Sequence, residues 1–255
     1  MSTTRPNGSL FTKIEQGIAT IEFGHPASNS FVSELLQRLT NEINQLSSND
    51  EVSIIVLKSE GDRAFCAGAS FDELVAISNL DEGKAFFSGF ANVINAMRSC
   101  NKPIIGRVQG KAVGGGVGLA AACDYVFATE AASIKLSEIS IGIAPLVIAP
   151  AVERKVGKDG LAELALAPTE WKNAYWAKQK GLFSKVFDAT KELDKELDIF
   201  SSKLASYNPE ALTAMKKALW EGTENWTSLL LERAEQSGKL ALSKATKQVL
   251  AKFKK

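Results

Sequence analysis

The chain has 255 residues, 45% hydrophobic and 23% charged, and its 30 Lys and Arg nearly balance its 29 Asp and Glu, for a formal net charge of +1. That is globular composition, in a chain long enough to bury a core without staples, as one large domain or one with an appendage. The balance excludes a dedicated nucleic-acid binder, which shows a basic excess, and no apolar run reaches the roughly 18 residues of a membrane span.

Met1 to Gly8 is polar, so no secretory signal is expected. Leu10 to Phe23 alternates loosely and breaks at Gln16-Gly17, which predicts a β-hairpin. From Phe31 to Leu46 the apolar residues Phe31, Leu35, Leu36, Leu39, Ile43 and Leu46 recur at helical spacing. Val52 to Leu57 is a short apolar run rich in β-branched residues, which predicts a strand buried on both faces. A polar loop and a small-residue turn, Phe65 to Phe71, follow it. Then come a helix over 82–99, a strand at Ile104 to Gln109, a glycine-rich turn, and a helix entered near Gly116. Strands are predicted near 124–128 and 132–136. The β-β-α rhythm favours layered α/β over an all-helical or all-β fold.

Beyond about residue 190 the pattern becomes helical. Leu193, Leu197, Phe200 and Leu204 mark one helix. Leu212, Met215, Leu219 and Trp220 mark another, opened by Asn208-Pro209 with proline in the first turn. Leu229 to Leu231 and Leu240 to Phe253 complete a helical tail. From Lys239 to Lys255 there are six lysines and no acid. That is either a solvated helix face or a patch for a phosphate-bearing ligand or partner.

The rare residues narrow the chemistry. Cys66, Cys100 and Cys123 form no CxxC, so they read as small apolar fillers in a reducing, cytoplasmic setting. The one histidine, His25, sits in the turn Gly24-His25-Pro26 and reads as turn punctuation rather than a catalytic group. A multi-histidine metal site is excluded by count, and no metal is expected.

Three segments carry chemistry. In Lys102 to Asp124 a strand runs into Gly114-Gly115-Gly116 and continues as a small-residue helix. A helix start offers unpaired N–H groups and a positive dipole end, suited to an oxyanion or a phosphate; close packing of helices is the alternative use of such glycines. The dinucleotide fingerprint fails at Leu119, neither Gly-Lys-Ala has the P-loop Ser or Thr, and the nucleophile elbow is absent. The turn at Phe65 to Phe71 is a second source of accessible backbone N–H, and two such turns together supply the donors of an oxyanion hole. Glu138 lies between Ile134-Lys135-Leu136 and Ile141-Gly142-Ile143. An acid so placed is either a surface or helix-start group or a desolvated base with a raised pKa.

Together these segments resemble the crotonase superfamily, the enoyl-CoA hydratase/isomerase family. Ala64 to Ala69 is similar to the family's first oxyanion turn, Lys102 to Asp124 to its second, and Ala132 to Gly142 to the stretch bearing its catalytic acid. Trp176 to Leu182 with Val186, and Asn208 to Ala211 with Lys216, resemble two later family elements. The resemblance implies an α/β spiral of ββα turns, residues 1–192, with a helical C-terminal oligomerisation region, 193–255. It implies an acyl-CoA thioester as substrate, coenzyme A being part of the substrate and no separate cofactor, and a homotrimer or dimer of trimers. It assigns catalysis to Glu138 with the N–H groups of Ala67 and Gly115 as the oxyanion hole. The coenzyme A path falls to Ala64, Ala67, Gly68, Ala69, Ser70 and Gly115.

The chain departs from the family pattern at two places. A two-glutamate hydratase has its first glutamate where this chain has Gly118, and Ser70 stands where the family often has Asp, with Asp72 nearby. One base suffices to move a double bond between the 3-enoyl and 2-enoyl forms, so an isomerase is the first expectation. An enoyl-CoA hydratase of fatty-acid or branched-chain acyl-CoA breakdown, with a water or an anion in the room left at Gly118, is the second. A non-catalytic acyl-CoA-binding subunit is the third. Phe71, Leu74, Phe86, Phe87 and Phe90 are expected in the core or around an acyl-tail pocket.

Overall fold

The computed structural model describes Arg5 and residues 7–252. The N-terminal segment read for a signal and the end of the lysine-rich tail, Phe253 to Lys255, fall wholly or partly outside the described residues. The predicted hairpin is β1 (Ser9–Glu15) and β2 (Ile18–Gly24), paired antiparallel. Gln16 and Gly17 both take positive φ, 51° and 79°, as a two-residue hairpin loop demands. Helix α1 (Ser33–Ser47) buries the predicted stripe. β3 (Ile54–Ser59) begins two residues later than expected, because the N–H groups of Ser53 and Ile54 both donate to the Gly17 carbonyl.

Each following turn of chain gives one strand to each of two sheets and then a helix. β4 (Ala64–Cys66) leads to α2 (Phe71–Ala76) and α3 (Leu80–Ser99). β5 (Ile104–Val108) and β6 (Lys111–Val113) lead to α4 (Gly115–Ala122). β7 (Tyr125–Thr129) and β8 (Ser133–Lys135) lead to a 3-10 turn, Glu138–Ile141, and α5 (Ala149–Leu166). β9 (Lys172–Asn173), α6 (Ala174–Gln179) and β10 (Lys185–Phe187) close the series. The larger sheet runs β1-β2-β3-β5-β7-β10 and the smaller β4-β6-β8-β9. Apart from β1–β2 and β8–β9 the pairs are parallel, so the chain must cross over between neighbours.

Alternation along β3 explains its continuous apolar run. Ile55 and Leu57 face the main core, whereas Val56 joins Ile105 and Phe127 on the opposite face. That second face is covered by α7 (Thr190–Ala205) through Leu193 and Leu197. The expected boundary at 192/193 therefore falls inside a helix packed on the larger sheet. α8 (Pro209–Leu219) is capped by Asn208 and anchored by Lys216, whose Nζ lies 2.7 Å from Asp124 with both side chains buried. The Asp124 carboxylate also accepts from Trp220 Nε1 and from the Ile104 N–H, each at 2.7 Å. α9 (Trp226–Ala241) crosses α3 closely at Gly83 and Gly238, where an added Cβ on Gly83 falls 2.9 Å from Gly238 Cα. α10 (Lys244–Ala251) folds back over the 3-10 turn of its own chain, and Thr246 donates to the Gly142 carbonyl at 2.6 Å.

Candidate active site

Strand register assembles the three segments. β4 pairs parallel with β6, Ala64 beside Lys111 and Cys66 beside Ala112, so the turn after β4 lies next to the turn after β6. β6 pairs parallel with β8, Val113 beside Lys135, and the Gly114 N–H donates to the Lys135 carbonyl at 2.9 Å. Ala67–Ala69, Gly114–Gly115 and Glu138 thus meet beyond the carboxyl ends of three parallel strands, where ligands of such sheets bind. They line one cavity of about 180 Å³. Its remaining wall is largely apolar: Phe71, Leu74, Phe86, Phe87 and Phe90, together with Ile141 and Ile143 to Ile148. Phe86 and Phe90 are buried and also face the cavity, whereas Phe71 lines it from an exposed position.

Glu138 opens the 3-10 turn. Its carbonyl accepts from the Ile143 N–H at 3.1 Å, and Gly142, at φ 86°, closes the turn with its N–H on Ile139. Glu138 is half-buried as a residue, but its Oε2 is enclosed and has no hydrogen-bond partner. Burial pushes its pKa up from 4.5 to about 7, because the ionised form loses water and gains little in return. The carboxylate rests against Gly114: a Cβ there would stand 2.6 Å from Glu138 Oε1. Gly114 also has φ 52° and ψ −118°, a backbone that disfavours any side chain.

Of the two N–H groups expected as oxyanion donors, Ala67 and Gly115, one is already paired within the fold. The Ala67 N–H is taken by the Ser28 carbonyl at 3.1 Å. Two residues on, Ala69 forms a parallel bridge with Phe31: the Phe31 N–H donates to Gly68 O and the Ser70 N–H donates to Phe31 O, each at 2.8 Å. Successive groups of an extended chain point to opposite sides, so this pairing turns the Ala69 N–H away from Phe31. Among the described residues neither the Ala69 nor the Gly115 N–H has an acceptor. The Gly68 side lies against the second turn: a Cβ on Gly68 would sit 3.4 Å from Gly115 N.

Ala64 and Ser70 stand outside the cavity lining. The Ala64 carbonyl accepts from Asn29 and Gln109, and Ser70 caps α2 by accepting from the Glu73 N–H. Asp72 is exposed in the first turn of α2 and does not line the cavity either. His25 stays in its turn, its Nδ1 accepting from the Ala27 N–H at 3.1 Å. All three cysteines are buried and free, and burial pushes Cys66 and Cys123 up to about 12. Gly118 leaves no room for a water or an anion: a Cβ there would fall 2.5 Å from Ile148 Cγ2 and 2.8 Å from Ile148 Cβ. α10 holds its exposed Lys244 and Lys247 beside the site of its own chain. Sequence reading missed Ser237, a cavity residue of α9. Its signal was a polar residue on the buried stripe Leu230, Ala234, Ala241.

Comparison with known proteins agrees with this architecture. Residues 13–250 match the family model described as enoyl-CoA hydratase/isomerase. The 2,3-dehydroadipyl-CoA hydratase of Escherichia coli (strain K12) is 32% identical over 217 residues, 84% of this chain and 83% of that protein. The peroxisomal Delta(3,5)-Delta(2,4)-dienoyl-CoA isomerase of Arabidopsis thaliana is 30% identical over 194 residues, 71% of this chain and 69% of that protein. In fold, the chain superposes on the enoyl-CoA hydratase of Bacillus halodurans with a TM-score of 0.87 at 20% identity, covering 95% of this chain and 99% of that one. With the cavity where three parallel strands end and a family match across nearly its whole length, the chain belongs to the enoyl-CoA hydratase/isomerase family of acyl-CoA enzymes, the crotonase superfamily.

Proposed function

We propose that the chain shifts a double bond between the 3-enoyl and 2-enoyl positions of an acyl-CoA thioester, with Glu138 as the one proton carrier. The observation that carries this reading is that, among the described residues, Glu138 is the single titratable one lining the cavity. The Glu138 carboxylate removes a proton from C2, the thioester oxygen takes up the charge as a dienolate, and the same carboxyl group returns the proton at C4. No proton is gained or lost overall. The N–H groups of Gly115 and Ala69 are the donors for that oxygen, and each such donor is worth about 3–4 kcal/mol in the transition state.

The family includes proteins named as hydratases and as isomerases. Hydration asks for a second group to hold and deprotonate water, and the place for it beside Gly118 is filled by Ile148. A purely binding role fits poorly with a carboxyl group whose Oε2 is enclosed and unpartnered at the cavity wall, since that arrangement disfavours its charged form. A trimer or a dimer of trimers belongs to the same proposal, to be read by light scattering. The deciding experiment is a panel of 3-enoyl-CoA and 2-enoyl-CoA thioesters with the wild type and Glu138→Gln. Conversion of the 3-enoyl forms, lost in the variant, is the expected result. Robust water addition to crotonyl-CoA by the wild type, or turnover retained in the variant, overturns it.

A further inference from the structure

Ser237 lines the cavity from α9 and is 1% exposed, and its Oγ has no hydrogen-bond partner. A buried helical hydroxyl can donate to the carbonyl one turn back. Other helical hydroxyls in this chain do so: Thr40 to Leu36, Ser88 to Lys84 and Ser99 to Asn95, at 2.9, 2.6 and 2.8 Å. Ser237 does not, although it lies in mid-helix. Ser201 of α7 also lacks a partner, but it lines a polar groove with Arg107 and Asp194. One turn earlier, Arg233 donates to the Leu146 carbonyl at 3.2 Å, which sets this face of α9 against the apolar wall of the cavity. A buried hydroxyl left unpaired in an apolar wall is destabilising unless something in the cavity meets it.

We propose that the Ser237 hydroxyl is a specificity contact for a neutral oxygen, hydroxyl or keto, carried on the acyl chain beyond the reacting carbons. A terminal carboxylate is the wrong match, because among the described residues no Lys, Arg or His lines the cavity and its charge would be buried unpaired. The proposal rests on the acyl-CoA reading of the site but not on the direction of the double-bond chemistry.

The test uses saturated thioesters, which carry no double bond to move, so binding is read apart from turnover. Dissociation constants are measured by calorimetry for hexanoyl-CoA and for its analogues with a hydroxyl or keto oxygen at C4, C5 or C6. The wild type is expected to bind the analogue at one position about fivefold tighter than hexanoyl-CoA, the size of one neutral hydrogen bond. Ser237→Ala is expected to erase or invert that ratio. Ser237→Cys, close in shape but a weak donor, is expected to do the same and guards against a packing artefact. Adipyl-CoA is expected to bind more weakly than hexanoyl-CoA. A preference absent at every position, or surviving in both variants, overturns the proposal, as does adipyl-CoA binding tightest. A wild type that binds none of these thioesters fails the acyl-CoA reading itself. Failure of 3-enoyl conversion alone leaves the binding result standing.

Discussion

Glu138→Gln is expected to remove activity and at the same time to stabilise the fold, in a pH-dependent way. The Glu138 carboxyl is raised from 4.5 to about 7 by burial. Between those values the unfolded chain has lost this proton while the folded chain keeps it, so the folded state binds more protons and stability falls as pH rises. The destabilisation is absent below about 4.5 and complete above about 7, where it reaches about 3 kcal/mol at about 1.4 kcal/mol per pH unit. Glutamine has no such charge, and any cost of burying its amide is the same at all pH values. The stability of wild type relative to variant should therefore drop by about 2–3 kcal/mol from pH 5 to pH 8. Urea unfolding at the two pH values, followed by the fluorescence of the buried Trp220 and Trp226, measures this directly. Comparison with the variant cancels every other titrating group. Stability differences that stay constant across pH would refute the desolvated carboxylate. In activity the same group should make kcat/KM rise about tenfold from pH 6 to pH 8, as the base ionises about 7.

Two further substitutions test the frame around it. Gly114→Ala puts a methyl group 2.6 Å from Glu138 Oε1 on a backbone at φ 52°; expected are a loss of about 1–3 kcal/mol in stability and a fall in kcat/KM of about a hundredfold, and unchanged kinetics would contradict the contact. Lys216→Met leaves the Asp124 carboxylate buried without its cation, which should cost about 3–5 kcal/mol and lower Tm by about 6–20 °C. Adding Asp124→Asn should recover much of that loss, and a calorimetric Tm unmoved by Lys216→Met would show the pair to be unimportant.

Periodicity made long elements legible. The stripe of α1, the hairpin at Gln16-Gly17 and the doubly buried β3 follow from residue spacing, because each buries whole faces against the core. The strands β4, β6, β8 and β10 have three residues each, too few for alternation to show, and only β8 was expected, in a longer form. α5 is not legible in the sequence, because Gly157, at φ 72°, interrupts it and its apolar residues make no clean stripe. The turns that form the site were legible as small-residue segments. Which N–H is free in them was not, since that depends on the Ser28 carbonyl and the Phe31 bridge from another part of the chain. In the same way Gly118 reads as empty space until Ile148, from the segment after Glu138, is seen to fill it.

The helical C-terminal region shows the same dependence on distant contacts. The family resemblance implies an oligomerisation region there. In the fold, α9 supplies Ser237 to the cavity wall and α10 clamps Gly142, which closes the turn that begins at Glu138. Leu250 and Ala241 share a small core with Leu74, Phe86 and Ile143 from the cavity side. The buried Thr246 is thus coupled to the position of Glu138 through one carbonyl. A contact of that kind links stability of the tail to geometry at the carboxylate, so loosening α10 should disturb turnover before it unfolds the ββα spiral.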